Sequence, residues 1–182
     1  MRCLPLFPRL AALAASAVFL MVSAGAQARF SLSSPEFQPG ASIPVPCSCD
    51  GGDHSPALYW SSPPAGVKSY ALVVRDPDAP RGTFIHWVLY GIPASAHSLA
   101  PQLATTPQLL DGSRQGLNSA RTPGYMGPCP PPGPVHHYIF TLYALDAVLP
   151  LHAGLTEKQL MQSLQGHVLG TAQLTGLYRH SR

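Results

Sequence analysis

The chain has 182 residues and a formal net charge of +3, a balance too weak to mark a partner of nucleic acid or of acidic membranes. Only 10% of its residues are charged, against 21 prolines and 16 glycines. Such a composition suits short strands joined by ordered turns and disfavours a helical bundle.

The N-terminus reads as a signal peptide over residues 1–28. "MRCLPLFPR" supplies Arg2 and Arg9, "LAALAASAVFLMV" is an apolar core of signal length, and Ala26-Gln27-Ala28 has the small-x-small form of a cleavage site. The apolar run falls short of the roughly 20 residues that span a bilayer, and no lipobox-like cysteine follows it. The expectation is a periplasmic or secreted protein whose mature chain, residues 29–182, is one domain with no integral membrane segment. Without Arg2 and Arg9, nine basic residues face eight acidic ones.

Cys47, Cys49 and Cys129 remain after processing. An oxidising compartment favours one disulfide and one leftover thiol. The preferred pair is Cys49 with Cys129, although Cys47 is an alternative partner. A zinc half-site from Cys47, Cys49 and His54 lacks the usual Cys-x2-Cys spacing and a second cysteine pair, so no metal or cofactor is expected.

In chain order, "FSLSSPEF" (Phe30–Phe37) reads as an opening strand. Ala57–Trp60 is a short second one, and a third runs from Lys68 to Arg75 after a Pro-Pro-Ala-Gly turn. Thr83–Ile92 and His137–Leu145 are rich in aromatic and β-branched residues, as strands are. Between them lies a long irregular section, roughly 94–135, of the kind often built around a site. "LTEKQLMQSLQGH" places Thr156 as a helix N-cap with Gln159 three residues on, the capping-box pattern, and Leu160, Met161 and Leu164 on one apolar stripe. "LGTAQLTGLYRH" closes the chain as a strand. The fold class is mainly β, an antiparallel sandwich with a few peripheral short helices.

Three segments concentrate chemistry. In Asp76-Pro77-Asp78-Ala79-Pro80, Pro77 fixes φ and lacks a donor, so the preceding strand ends there. Either aspartate can satisfy nearby backbone N–H groups in the turn. His86 lies inside the next strand, where alternation puts Phe84, His86 and Val88 on one face and Ile85, Trp87 and Leu89 on the other. "GYMGPCPPPGPVHHYIF" then holds six prolines between Pro123 and Pro134, a stiff loop delivering His136 and Tyr138 to one face and His137 to the other.

With "SPALYW", "GVKSYALVVRDPDAP", "HWVLYGIP", "GYMGPCPPPGPVHHYIFTLYAL" and "GTAQLTGLYR", the sequence resembles the bacterial, Raf-kinase-inhibitor-like branch of the phosphatidylethanolamine-binding protein family. The resemblance implies a β-sandwich with a small anion pocket at one end. That pocket would accept a phosphate-containing or zwitterionic ligand such as a phosphoethanolamine headgroup. It assigns ligand-binding roles to Asp76, His86, His136 and Tyr138. Asp78 matches the second aspartate of the motif, and Gly127, Pro130 and Pro131 match the rim. Eukaryotic members carry a C-terminal helix beside the pocket that this sequence lacks, which implies a more open site.

The expected function is therefore non-enzymatic headgroup or anion binding, with a possible coupling to a partner protein. In the chemistry expected of such a site, Asp76 orients a histidine and raises its pKa, and the imidazolium and the Tyr138 hydroxyl donate to the anion. Phosphate binding would then weaken between roughly pH 6 and 8. One rival is a secreted inhibitor of a protease or kinase-type enzyme that acts through protein contact at the rim. Another is a hydrolase, although no Gly-x-Ser-x-Gly elbow or His-Glu-x-x-His helix is present.

Overall fold

A computed structural model describes residues 29–180; residues 1–28, read above as a signal peptide, lie outside them. Eight strands are present: β1 (Ser31–Ser33), β2 (Leu58–Ser61), β3 (Ser69–Asp76), β4 (Phe84–Pro93), β5 (Ser98–Leu99), β6 (Arg114–Gln115), β7 (His136–Leu145) and β8 (Val168–Tyr178). One helix, α1 (Glu157–Ser163), and one 3-10 turn at Val45–Cys47 complete the regular structure among the described residues.

The strands form two antiparallel sheets, ordered β1-β2-β5 and β6-β4-β3-β7-β8. The larger sheet is buried on both sides. One face packs with the smaller sheet around Leu32, Leu58, Trp60, Leu72, Val74, Trp87, Phe140 and Leu174. The other carries Ala71, Val73, Val88 and Tyr143 beneath Leu155, Leu160 and Leu164. Central β3 is covered on both faces, which is why "SYALVV" reads as a continuous apolar run instead of an alternating one.

The opening strand is shorter than Phe30–Phe37 suggests. Pro35 cannot donate to a ladder, and the Ser34 hydroxyl instead accepts the Glu36 N–H at 3.2 Å. The helix has the expected start: Gln159 N–H donates to Thr156 Oγ1, and the Thr156 N–H donates to Gln159 Oε1. Leu160 and Leu164 are buried, and Arg75 reaches from β3 to Glu157 at 2.6 Å to fasten the helix to the sheet.

Two β-bulges interrupt the β3–β4 ladder. Tyr70 faces Ile92 while Ala71 faces Tyr90, leaving Gly91 extra at φ 69°, a conformation suited to glycine. Val74 faces Trp87 while Arg75 faces Ile85, leaving His86 extra. The second bulge corrects the simple alternation of β4. His86 and Trp87 both lie on the sandwich side, the His86 ring 5.0 Å from that of Tyr138, while Val88 lies on the opposite face. An extra residue resets the two-residue period of a strand, and here it turns a histidine toward β7.

Candidate functional site

Pro77 ends β3 immediately after Asp76, so the Asp76 carboxylate sits at the strand's last position, beside the start of β7. Its Oδ2 lies 2.7 Å from Nδ1 of His136, with both side chains 4% exposed. Its Oδ1 accepts the Asp78 N–H at 2.8 Å, closing the turn. One carboxylate thus braces the turn and orients the imidazole. With Nδ1 donating to the carboxylate, Nε2 of His136 is the nitrogen left for a ligand.

Residues 136–138 alternate buried, exposed, buried, placing Tyr138 on the same side as His136. The Tyr138 hydroxyl is enclosed and makes no hydrogen bond of full geometry among the described residues, although the Asp76 carboxylate lies close enough to act on it. Burial pushes its pKa upward, and the nearby Asp76 carboxylate pushes the same way, so the group is a neutral O–H donor. An orphaned hydroxyl of this kind costs free energy unless something pairs with it.

The His86 ring packs between Phe84, at 4.8 Å, and Tyr138, at 5.0 Å. Nδ1 lies 2.7 Å from the Met126 carbonyl oxygen, to which it donates, and the Met126 N–H donates back to the His86 carbonyl at 2.9 Å. Burial lowers the His86 pKa, against the opposing pull of the Met126 carbonyl and of Asp76. The charged-donor role expected for a histidine therefore does not fall to His86. It is a neutral ring whose Nε2 offers a lone pair, suited to an ammonium or a protonated phosphoryl oxygen. His136 is instead the ring held by a carboxylate, with Nε2 left for a ligand.

Asp78 stands at the margin. Its Oδ2 accepts both the backbone N–H and Nδ1 of His137, each at 2.8 Å, with 40% of its side chain exposed. Those bonds hold its pKa below the usual carboxylate value. Its contact is with the outward-facing His137, and it braces the entry of β7.

In the rim, Gly127 and Pro130 are buried while Pro131 is exposed. The Gly127 N–H donates to Asp53 Oδ1 at 2.6 Å. A Cβ at Gly127 would stand 2.4 Å from the Cys47 carbonyl oxygen and 2.5 Å from Asp53 Oδ1, so only glycine fits. Cys49 and Cys129 form a disulfide with Cα atoms 5.4 Å apart, and the Cys49 N–H donates to the Pro128 carbonyl. Cys47 is a buried free thiol donating to Glu36 Oε2 at 3.1 Å; it does not join Cys49 and His54 in a zinc half-site.

A family model for phosphatidylethanolamine-binding protein matches residues 33–179. The chain belongs to the phosphatidylethanolamine-binding protein family. A UPF0098 protein of Methanothermobacter thermautotrophicus is 47% identical over 137 residues, covering 75% of this chain and 90% of its own. A Mycobacterium tuberculosis relative that carries the name lipoprotein LppC is 44% identical over 148 residues, covering 81% of this chain and 71% of its own. Among solved structures, Escherichia coli YbcL, described as a new member of the mammalian PEBP family, superimposes with TM-score 0.79. It is 32% identical, and the match covers 85% of this chain and 100% of YbcL. No helix of the described residues is long and apolar enough to cross a membrane.

Within this family domain, the structure adds residues that sequence reading missed. Asp53, at φ 54°, anchors Gly127, and the Met126 carbonyl fixes the His86 tautomer. Tyr178 lies opposite His136 across the β7–β8 ladder and is held by Ser48 at 2.7 Å and Asp50 at 2.6 Å. The "GLYR" segment contains Tyr178, and a strand ending beside His136 was the available signal. The Asp53 carboxylate accepts from a backbone N–H and Met126 acts through its carbonyl, contacts that leave no pattern in the sequence.

Proposed function

We propose that the domain is a non-enzymatic binding protein whose pocket takes a phosphate-type or phosphoethanolamine-like headgroup. The observation that carries this reading is the unpaired, buried Tyr138 hydroxyl beside the Asp76–His136 pair. A phosphoryl oxygen would satisfy that hydroxyl and receive a second hydrogen bond from His136. The neutral His86 Nε2 would complement a protonated group on the same ligand, which favours a zwitterion or a protonated phosphomonoester over a fully ionised one. The roles of Asp78, Gly127, Pro130 and Pro131 in this reading are to position β7 and the rim.

Hydrolysis is less well supported. No serine, threonine or cysteine side chain hydrogen-bonds to either ring among the described residues, so neither histidine has a nucleophile to activate. Contact with a partner enzyme is favoured by one feature, the exposed 131–135 segment of the rim. The N-terminal sequence supports a periplasmic or secreted location, and the disulfide suits such a compartment.

The test is a titration of the protein with O-phosphorylethanolamine, following the histidine ring resonances. The reading requires saturable shifts at His86 and His136 and none at the exposed His137 beyond nonspecific drift. Silence from both buried rings at millimolar ligand would transfer the function to the rim and its protein partner. A pull-down that survives His136→Asn but fails with a rim variant would support that outcome.

A further inference from the structure

The Cys49 and Cys129 sulfurs and one ring nitrogen of His180 all lie within 4.8 Å of one another, and both cysteines are exposed. Three chain segments meet at this point: the loop after the Val45–Cys47 turn, the proline-rich rim, and the residues following β8. Asp50 stands behind the imidazole, its Oδ1 3.2 Å from Nδ1 of His180. Its Oδ2 accepts the Tyr178 hydroxyl at 2.6 Å, and that hydroxyl accepts from Ser48 at 2.7 Å. The carboxylate is therefore fixed by the fold and stands beside the imidazole, whose buried Nδ1 is without a hydrogen-bond partner among the described residues.

We propose that reduction of the Cys49–Cys129 disulfide converts Cys49, Cys129 and His180 into a site for a thiolate-preferring divalent ion of the zinc class. A dithiol reductant supplies two electrons and two protons. Its own sulfurs close into a disulfide as the Cys49–Cys129 bond breaks and both residues become thiols. The ion then displaces the two thiol protons to solvent, and water holds the fourth position.

The geometry is within reach of side-chain rotation. Zinc–sulfur bonds of about 2.3 Å in a tetrahedral site place two thiolates roughly 3.8 Å apart. The Cα atoms, already 5.4 Å apart, permit that by rotation about the two Cα–Cβ bonds without moving the backbone. A rotation of the ring would bring the Asp50–His180 proximity into the carboxylate–histidine arrangement that fixes tautomer and ring orientation behind a metal-ligating imidazole. Cys47, two residues from Cys49, is turned away onto Glu36 and is not recruited. A disulfide ties two segments together at this corner; the ion would tie three, adding the end of β8 to the clamp on the rim.

Cobalt(II) is the probe. The protein is reduced with a phosphine, which leaves as its oxide with oxygen from water, and is then titrated with Co2+. One equivalent should give thiolate-to-cobalt charge transfer and intense visible bands of a tetrahedral site, whereas the oxidised protein gives neither. His180→Asn should weaken binding by at least tenfold and Asp50→Asn by a smaller factor, while Cys47→Ser titrates like the wild type. Cobalt should also raise the melting temperature of the reduced protein, because the site belongs to the folded state. Absent bands, a His180→Asn variant that titrates unchanged, or a melting temperature lowered by cobalt would each overturn the proposal.

Discussion

His136 Nδ1 and Asp76 Oδ2 are 2.7 Å apart across the β3–β7 pair, Asp76 one residue and His136 three residues beyond the last register partners, Arg75 and Ile139. Both groups are buried, so the contact is fixed by strand register and not by chance encounter at the surface. Replacing Asp76 with Ala leaves a buried imidazole N–H without its acceptor, which costs about 1–3 kcal/mol. Urea unfolding should show a loss of that size, and headgroup affinity should fall at least tenfold because His136 is no longer oriented. Unchanged affinity in a folded Asp76→Ala variant would separate this pair from ligand binding.

The Tyr138 hydroxyl should behave oppositely. Since it has no partner among the described residues, Tyr138→Phe removes an unsatisfied buried group. Stability should hold or rise by up to about 1 kcal/mol. A loss above that range, measured by denaturant unfolding, would mean that the hydroxyl is already paired in the free protein.

Gly127→Ala tests the rim. Its new methyl group meets the Cys47 carbonyl and Asp53 at once, and backbone on one side leaves little room to yield. The variant should lose about 1–3 kcal/mol, and the His86 resonances should shift as the neighbouring Met126 carbonyl moves. Near-wild-type stability would show that the rim backbone relaxes freely.

His86 predicts a pH effect on stability. Burial holds its folded-state pKa below the unfolded value of about 6.5. Between the two values the unfolded chain binds more protons, so stability is full above about pH 6.5 and falls as the pH drops toward the folded pKa. Thermal melts at about pH 7.5 and about pH 5 should show wild type losing more than His86→Gln. Equal losses would place the acid sensitivity elsewhere.

Much of this organisation was legible in residue types. Pro77 marks the end of β3, the capping box marks α1, and the His-x-Tyr spacing puts His136 and Tyr138 together because strands alternate. The bulge at His86 was not legible, since register depends on how β3 and β4 pair and no residue in "FIHWVL" announces it. Nor were the Asp53 carboxylate, which binds a backbone N–H of the rim, and the Met126 carbonyl, which follows a long irregular connection. The central strand showed its burial only as an apolar run, a pattern that a buried helix shares.

Calorimetric titration of wild type and Tyr138→Phe with O-phosphorylethanolamine, with ethanolamine as the control lacking a phosphoryl group, bears most directly on the proposed binding site. The wild type should bind one equivalent of O-phosphorylethanolamine at micromolar to millimolar Kd, about −4 to −8 kcal/mol. The variant should bind at least tenfold more weakly, and ethanolamine should give no saturable heat. Equal binding by wild type and Tyr138→Phe, or by both ligands, would contradict a phosphoryl site built on the Tyr138 hydroxyl and the Asp76–His136 pair.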